Sequence, residues 1–154
     1  MPKKEQLSEE LSLSDAVTHL LEECRMVLPG MQALFGFQLI AVFNSTFSEK
    51  LSSTEQKLHL AAIGLVVIAI ALVMTPAAYH RRTGARRVTQ DFVAVATWLL
   101  LLSMFPLMIA ICLDFYLIAH LVLHQTVISA VLSFVLLTIF SLLWFGLPWW
   151  RAKT

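Results

Sequence analysis

Charged residues are scarce in this 154-residue chain. Asp, Glu, Lys and Arg make up 14% of it, whereas 58% of the residues are hydrophobic. A soluble domain carries about 25% charged and roughly 45–50% apolar residues. The scarcity is also uneven, since several long runs contain no charged residue at all. The composition therefore excludes an ordinary soluble domain and predicts a polytopic membrane protein.

Cysteines and catalytic motifs are also rare or missing. The two cysteines, Cys24 and Cys112, fall near opposite ends of the apolar runs, so we interpret them as small buried side chains without a disulfide. The chain shows no Gly-rich phosphate loop, no Ser/His/Asp arrangement and no metalloprotease motif. We therefore expect no enzymatic activity and no cofactor.

Four apolar runs are long enough to cross a bilayer as helices, which takes about 20 residues each. The predicted spans are residues 26–47, 58–79, 92–113 and 127–147. Residues 1–12 are predicted to be a flexible polar N-terminus, and residues 149–154 a cytoplasmic tail. The expected fold class is all-α, a four-transmembrane-helix bundle formed by residues 26–148.

A short amphipathic segment precedes the first span at residues 13–25. Its apolar residues follow helical spacing, and its polar residues fill the opposite side. This pattern predicts a separate helix that lies at the membrane surface or against the bundle.

Two prolines predict distortions of the helices. Pro29 predicts a bend where the amphipathic helix becomes the first span. Pro106 predicts a kink that frees the carbonyl oxygen of Leu102, and the nearby hydroxyl of Ser103 could donate to it.

Positive charge is distributed asymmetrically. A basic loop separates the two predicted hairpins and contains Arg81, Arg82, Arg86 and Arg87. Four spans place both termini on the side of this loop, and that side carries nine of the 11 Lys and Arg residues. The asymmetry indicates cytoplasmic termini. We expect the four loop arginines to bind anionic membrane lipid, and we expect no nucleic-acid partner.

Two stretches resemble a known family. The first, within residues 23–37, carries three short motifs, namely Glu23-x-Arg25, Gly30-x-Gln32 and Leu34-Phe35-x-Phe37. The second is Thr-Pro-Ala-Ala-Tyr-His-Arg at residues 75–81. Both are similar to a family of small bacterial four-helix integral membrane proteins of unknown function, over residues 15–90, with a looser match beyond. The resemblance implies a bacterial inner membrane, and some members are labelled sodium:proton antiporters.

A first group of candidate functional residues is predicted on the cytoplasmic side. It comprises His19, Glu22, Glu23, Arg25, His80, Arg81 and Arg82. One interpretation is a structural ion-pair cluster at the headgroup level, in which the glutamates pair with arginines of the basic loop. The other is a proton-responsive gate, because histidine titrates near neutrality.

A second group is predicted on the outer side. It comprises His59, Asp114, His120 and His124. Imidazoles at positions i and i+4 of a helix can share a metal ion, and a carboxylate can complete such a site. The alternatives are a metal site, for an unidentified metal, a proton site, or a polar feature of the membrane interface.

A third group consists of polar residues in or near the predicted spans. The possible ion path comprises Gln32, Gln38, Thr75 and Asp114. Such side chains either line a polar path or hold helices together. The middle of each predicted span lacks Asp, Glu, Lys and Arg. Because ion-coupled carriers usually keep a carboxylate there, this absence argues against an antiporter.

These observations support two functional hypotheses. The first is a homo-oligomeric channel or transporter for protons or small cations in a bacterial inner membrane. The alternative is a structural or accessory membrane subunit that does not transport and instead binds anionic lipid or a protein partner.

Overall fold

Helices make up almost the whole described chain. The computed structural model describes residues 2–83 and 90–151; side chains are described within these ranges except at 2–14, 46, 80, 82–83, 149 and 151. The α-helices are α1 (Pro2–Val42), α2 (Ser45–Lys50), α3 (Ser53–Thr83), α4 (Gln90–Leu123), α5 (Thr126–Ser141) and α6 (Leu147–Arg151), with a π-helical segment at Leu142–Gly146. No strand occurs in the described ranges, so the all-α prediction is confirmed.

Within the described ranges, four helical segments are long and apolar enough to cross a membrane. They are Asp15–Val42, Ser53–Tyr79, Gln90–Leu123 and Thr126–Gly146. Residues 114–123, predicted to be a connection, instead continue α4, so that only two residues link α4 to α5. His124 directly follows α4 and has a φ of 53°. Its backbone N–H donates to the carbonyl oxygen of His120. A left-handed residue at this position closes the helix.

The structure contains no separate interfacial helix at residues 13–25. α1 is one unbroken helix of 41 residues that includes Pro29, and its length of about 62 Å is twice the hydrocarbon thickness. The apolar stripe of Val17, Leu20 and Cys24 belongs to a core cluster with residues of α3 and α4. Met31 continues this cluster beyond Pro29, and a separately oriented helix would lose that shared packing.

Small buried side chains lie where α3 and α4 meet. These two helices form the most extensive helix pair, and Ala62, Ala69 and Ala110 are completely buried. Small residues let helix backbones approach closely.

α4 also continues through Pro106. The hydroxyl of Ser103 donates to the carbonyl oxygen of Leu100 at 2.6 Å, and not to that of Leu102 as predicted.

α5 lies at the edge of the arrangement. α1 packs against both α3 and α4, whereas the extensive contact of α5 is with α4. Ser129 is the buried residue of α5, and large apolar side chains such as Val127 and Phe134 are exposed. α1, α3 and α4 therefore form a three-helix unit, to which α5 is attached through α4.

Overpacking the α3–α4 contact should destabilise the protein. In Ala69→Leu, the added side chain has no space in the core, and we expect a loss of about 1–3 kcal/mol in unfolding free energy. Ala71→Leu is the matched control, because Ala71 is exposed on the same helix. Thermal unfolding of the detergent-solubilised protein, followed by circular dichroism, should show a lower Tm for the first variant alone. Equal Tm values would contradict the described packing.

Candidate functional site

Three polar residues from three helices meet at one end of the three-helix unit. The side-chain amide of Gln38 on α1 donates to Asp114 Oδ2 on α4 at 2.6 Å. His59 on α3 lies with Nδ1 3.0 Å from Asp114 Oδ1 and with Nε2 3.1 Å from the backbone carbonyl oxygen of Gln38. These residues are called the Gln38–His59–Asp114 triad below. Its contacts connect all three helices of the unit.

The triad is shielded from solvent. Gln38 and His59 are 4% and 7% exposed, and the side chain of Asp114 is 15% exposed. The ring of Phe47 on α2 packs against His59, with ring centroids 5.3 Å apart. Burying an ionisable group is unfavourable unless it is paired and hydrogen-bonded. Here both carboxylate oxygens of Asp114 and both ring nitrogens of His59 have partners.

The hydrogen bonds restrict where protons sit in the triad. The carbonyl oxygen of Gln38 can only accept, so His59 Nε2 must carry a hydrogen. A hydrogen must also lie between His59 Nδ1 and Asp114 Oδ1, since two lone pairs 3.0 Å apart would repel. His59 and Asp114 therefore share the hydrogen of this contact.

One acceptor of the triad is unused. Gln38 Oε1 is buried and has no hydrogen-bond partner among the described residues. Because the amide nitrogen already donates to Asp114, the oxygen points away from that contact. A buried acceptor without a partner is uncommon and marks a position where a donor or cation would be stabilised.

An open cavity of about 380 Å³ lies beside the triad and includes all three of its residues in its lining. Most of its wall is apolar and comes from α1 and α4, with Phe37, Ile118 and Leu121 among the lining side chains. Lys50, at the end of α2, contributes a positive charge. The cavity therefore combines an apolar wall with a few polar groups, which is typical of ligand sites.

A second polar contact joins α3 to the end of α4. Glu55 Oε1 lies 3.4 Å from His120 Nε2, and Glu55 Oε2 accepts hydrogen bonds from the backbone N–H and the hydroxyl of Ser52. This arrangement is a capping box that starts α3. Lys50 and His124 line a neighbouring cavity together with Glu55 and His120.

The predicted outer group is therefore divided between two places. His59 pairs with Asp114, and His120 pairs with Glu55, while His124 lines the second cavity. In the part of the chain that the structure describes, no group of three or more His, Cys, Asp or Glu side chains is placed to hold a metal ion. The metal interpretation receives no structural support from these positions.

The residues of the predicted ion path are also separated. Gln38 and Asp114 are in direct contact, whereas Gln32 and Thr75 are exposed on α1 and α3. The hydroxyl of Thr75 donates to the carbonyl of Ala71, one turn earlier in the same helix. Only Gln38 and Asp114 of this predicted group therefore belong to one site.

The predicted cytoplasmic group is described in part. His19 Nδ1 lies 3.7 Å from Glu22 Oε2 within α1, and Glu23, Arg25 and Arg81 are exposed. The side chains of His80 and Arg82, together with Arg86 and Arg87, lie outside the described residues. Pairing of the glutamates with the basic loop and lipid binding by its arginines stay predictions.

Three residues near the site were not anticipated from sequence. The role of Glu55 could have been predicted, because Ser52-x-x-Glu55 is the sequence pattern of a capping box. The sequence contains no such indication for Phe47, the last residue of the first predicted span, or for Lys50, which lies between the first two predicted spans. Their placement depends on α2 packing beside the ends of α1 and α3.

The protonation of His59 should depend on Asp114. In the wild type, ¹⁵N NMR of histidine-labelled protein should show His59 Nε2 protonated and Nδ1 engaged with a shared proton. In Asp114→Asn, the new amide donates to Nδ1, so we expect a neutral ring with hydrogen on Nε2 alone. His59→Gln assigns the signals, and the exposed His19 serves as reference. Protonation of His59 on Nδ1 alone would contradict the described geometry.

The chain matches the model of a known protein family. The model of a family of unknown function, DUF6328, matches residues 8–148. The match includes the second hairpin, where the sequence showed only a looser resemblance. No curated protein and no solved structure matches the chain. With nearly its whole length covered by that model, the chain belongs to the DUF6328 family.

Proposed function

We propose that this protein transfers protons or another small cation across a membrane, with the Gln38–His59–Asp114 triad as its exchanging site. The observation that carries the proposal is the buried His59–Asp114 pair, held within helices apolar enough to cross a membrane. Ionisable residues in such helices are unfavourable, rare and usually functional. Histidine and a carboxylate are also the side chains that proton relays use.

The hydrogen bonds of the triad favour competition between a proton and a cation. If the shared proton leaves, His59 Nε2 still donates to Gln38, and the lone pair of Nδ1 faces Asp114 Oδ1. The carboxylate charge is then uncompensated. A small cation would restore neutrality at the carboxylate. Proton and cation would therefore replace each other at the same site.

The route to the opposite side would run between copies of the chain. His59 lies about 33 Å from Arg81 along α3, at 1.5 Å per residue. Between them, Ala62, Val66 and Ala69 are completely buried in apolar clusters. A polar route through this part of one subunit would have to separate α3 from its neighbours. We therefore propose a homo-oligomer in which the exposed faces of the helices form the rest of the path.

We also propose a bacterial inner membrane and an orientation with both termini and the basic loop in the cytoplasm. If the four candidate helices all cross, the termini lie on one side. That side carries nine of the 11 Lys and Arg residues, as the positive-inside rule requires for the cytoplasm. The triad, near the C-terminal ends of α1 and α4, then faces the outer side.

Proton flux into proteoliposomes tests the exchanging role. We expect wild-type protein to dissipate an imposed proton gradient, measured with an enclosed pH-sensitive dye. Asp114→Asn should reduce the rate roughly 100-fold or more, because it removes a group that carries the proton. Asp91→Asn, an exposed position on the same helix, should retain the wild-type rate.

Three results would count against the exchanging role. Equal rates for Asp114→Asn and the wild type would remove the triad from the path. Equal rates for the two Asp→Asn variants, both reduced, would show a general effect on α4. No flux under proton, sodium or potassium gradients would exclude transport and favour the accessory subunit.

Reporter fusions test the orientation. Alkaline phosphatase is active only outside the cytoplasm, so a fusion after Thr154 should be inactive and a fusion after Lys50 active. Green fluorescent protein at the same two positions should give the opposite pattern. Phosphatase activity after Thr154 would overturn the proposed orientation.

A further inference from the structure

We propose that the cavity beside the triad binds an aminophospholipid, with its ammonium group toward Asp114 and its phosphate toward Lys50. The residues on which this rests line one cavity and come from α1, α2 and α4. The site uses Asp114 but does not depend on proton exchange. It therefore stands or falls separately from the transport proposal.

The shape of the cavity favours an amphiphile. Its volume of about 380 Å³ lies within the roughly 300–1,000 Å³ of small-molecule sites. Phe37 and Ile118 line it and are also 71% and 61% exposed, so the apolar wall continues onto the outer surface of the helices. In a bilayer that surface meets lipid tails. An occupant with one end inside and an acyl chain along Phe37 and Ile118 satisfies both environments.

The carboxylate of Asp114 in the cavity wall calls for an N–H donor. Each carboxylate oxygen of Asp114 has one partner in the triad, whereas an ionised carboxylate accepts about four hydrogen bonds. A primary ammonium group supplies three N–H donors and a positive charge. A quaternary ammonium group, as in phosphatidylcholine, supplies the charge without any donor.

The positive group of the cavity calls for an anion on the same ligand. Lys50 is exposed, and its ammonium is carried on a flexible four-carbon stem. It borders both this cavity and the neighbouring one that contains Glu55, His120 and His124. Because Asp114 and Lys50 line the same cavity, a ligand that carries an ammonium and a phosphate two carbons apart offers a partner to each of them. Phosphatidylethanolamine has this arrangement, whereas phosphatidylglycerol lacks the ammonium.

Native mass spectrometry of the detergent-solubilised protein tests the proposal without any variant. Phosphatidylethanolamine, phosphatidylcholine and phosphatidylglycerol with identical oleoyl chains are added in turn, and the lipid-bound fraction is measured. We expect the apparent Kd for phosphatidylethanolamine to be roughly tenfold lower than for either competitor, as expected from one charge-assisted hydrogen bond. Equal Kd values for phosphatidylethanolamine and phosphatidylcholine would overturn the proposal.

Two pairs of variants locate the site. Ile118→Trp fills the apolar wall and should remove the preference for phosphatidylethanolamine, whereas Ile68→Trp, on an exposed face of α3, should keep it. Lys50→Met removes the phosphate partner and should weaken binding several-fold, whereas Lys57→Met, also exposed, should not. An unchanged Kd in Ile118→Trp would place the lipid elsewhere. An unchanged Kd in Lys50→Met would remove Lys50 from the site.

Discussion

A buried, hydrogen-bonded pair of ionisable side chains is the constraint on which the site depends. His59 and Asp114 come from different helices and lie in mostly apolar surroundings, where neither is favourable alone. The hydrogen bond between them gives each group a partner. Gln38 then fixes both members, because its side chain donates to Asp114 and its backbone carbonyl accepts from His59. Three helices are thus held in one rotational setting by three polar contacts.

Small side chains between α3 and α4 allow the helices to take up this arrangement. Ala62 and Ala110 are buried in the same apolar cluster of α3 and α4, and the close approach that they permit brings His59 within reach of Asp114. α1 continues as one helix through Pro29, and Met31 and Gln38 both lie on its buried face. The chain thereby places its polar triad and its apolar core along the same three helices, at different levels.

The position of the triad along the helices has functional consequences. Its position near one end leaves a long apolar core toward the basic loop, and its cavity opens onto the exposed apolar face of α1 and α4. Proton exchange and lipid binding would both use Asp114 from that side. A headgroup in the cavity would cover the triad and couple the two processes through one carboxylate. α5 takes no part in the triad, and its broad apolar surface is available to lipid or to another copy.

Hydropathy alone predicted how many helices are long and apolar enough to cross a membrane, because transfer of apolar residues into lipid depends on composition and length. It also drew attention to Gln38, His59 and Asp114, since polar side chains are few in such runs. Tertiary structure decided that these three meet, that His120 instead joins Glu55, and that residues 13–25 extend α1. Contacts between helices depend on their rotation and relative height. Hydropathy records neither, because every face of an apolar helix is equally suited to lipid.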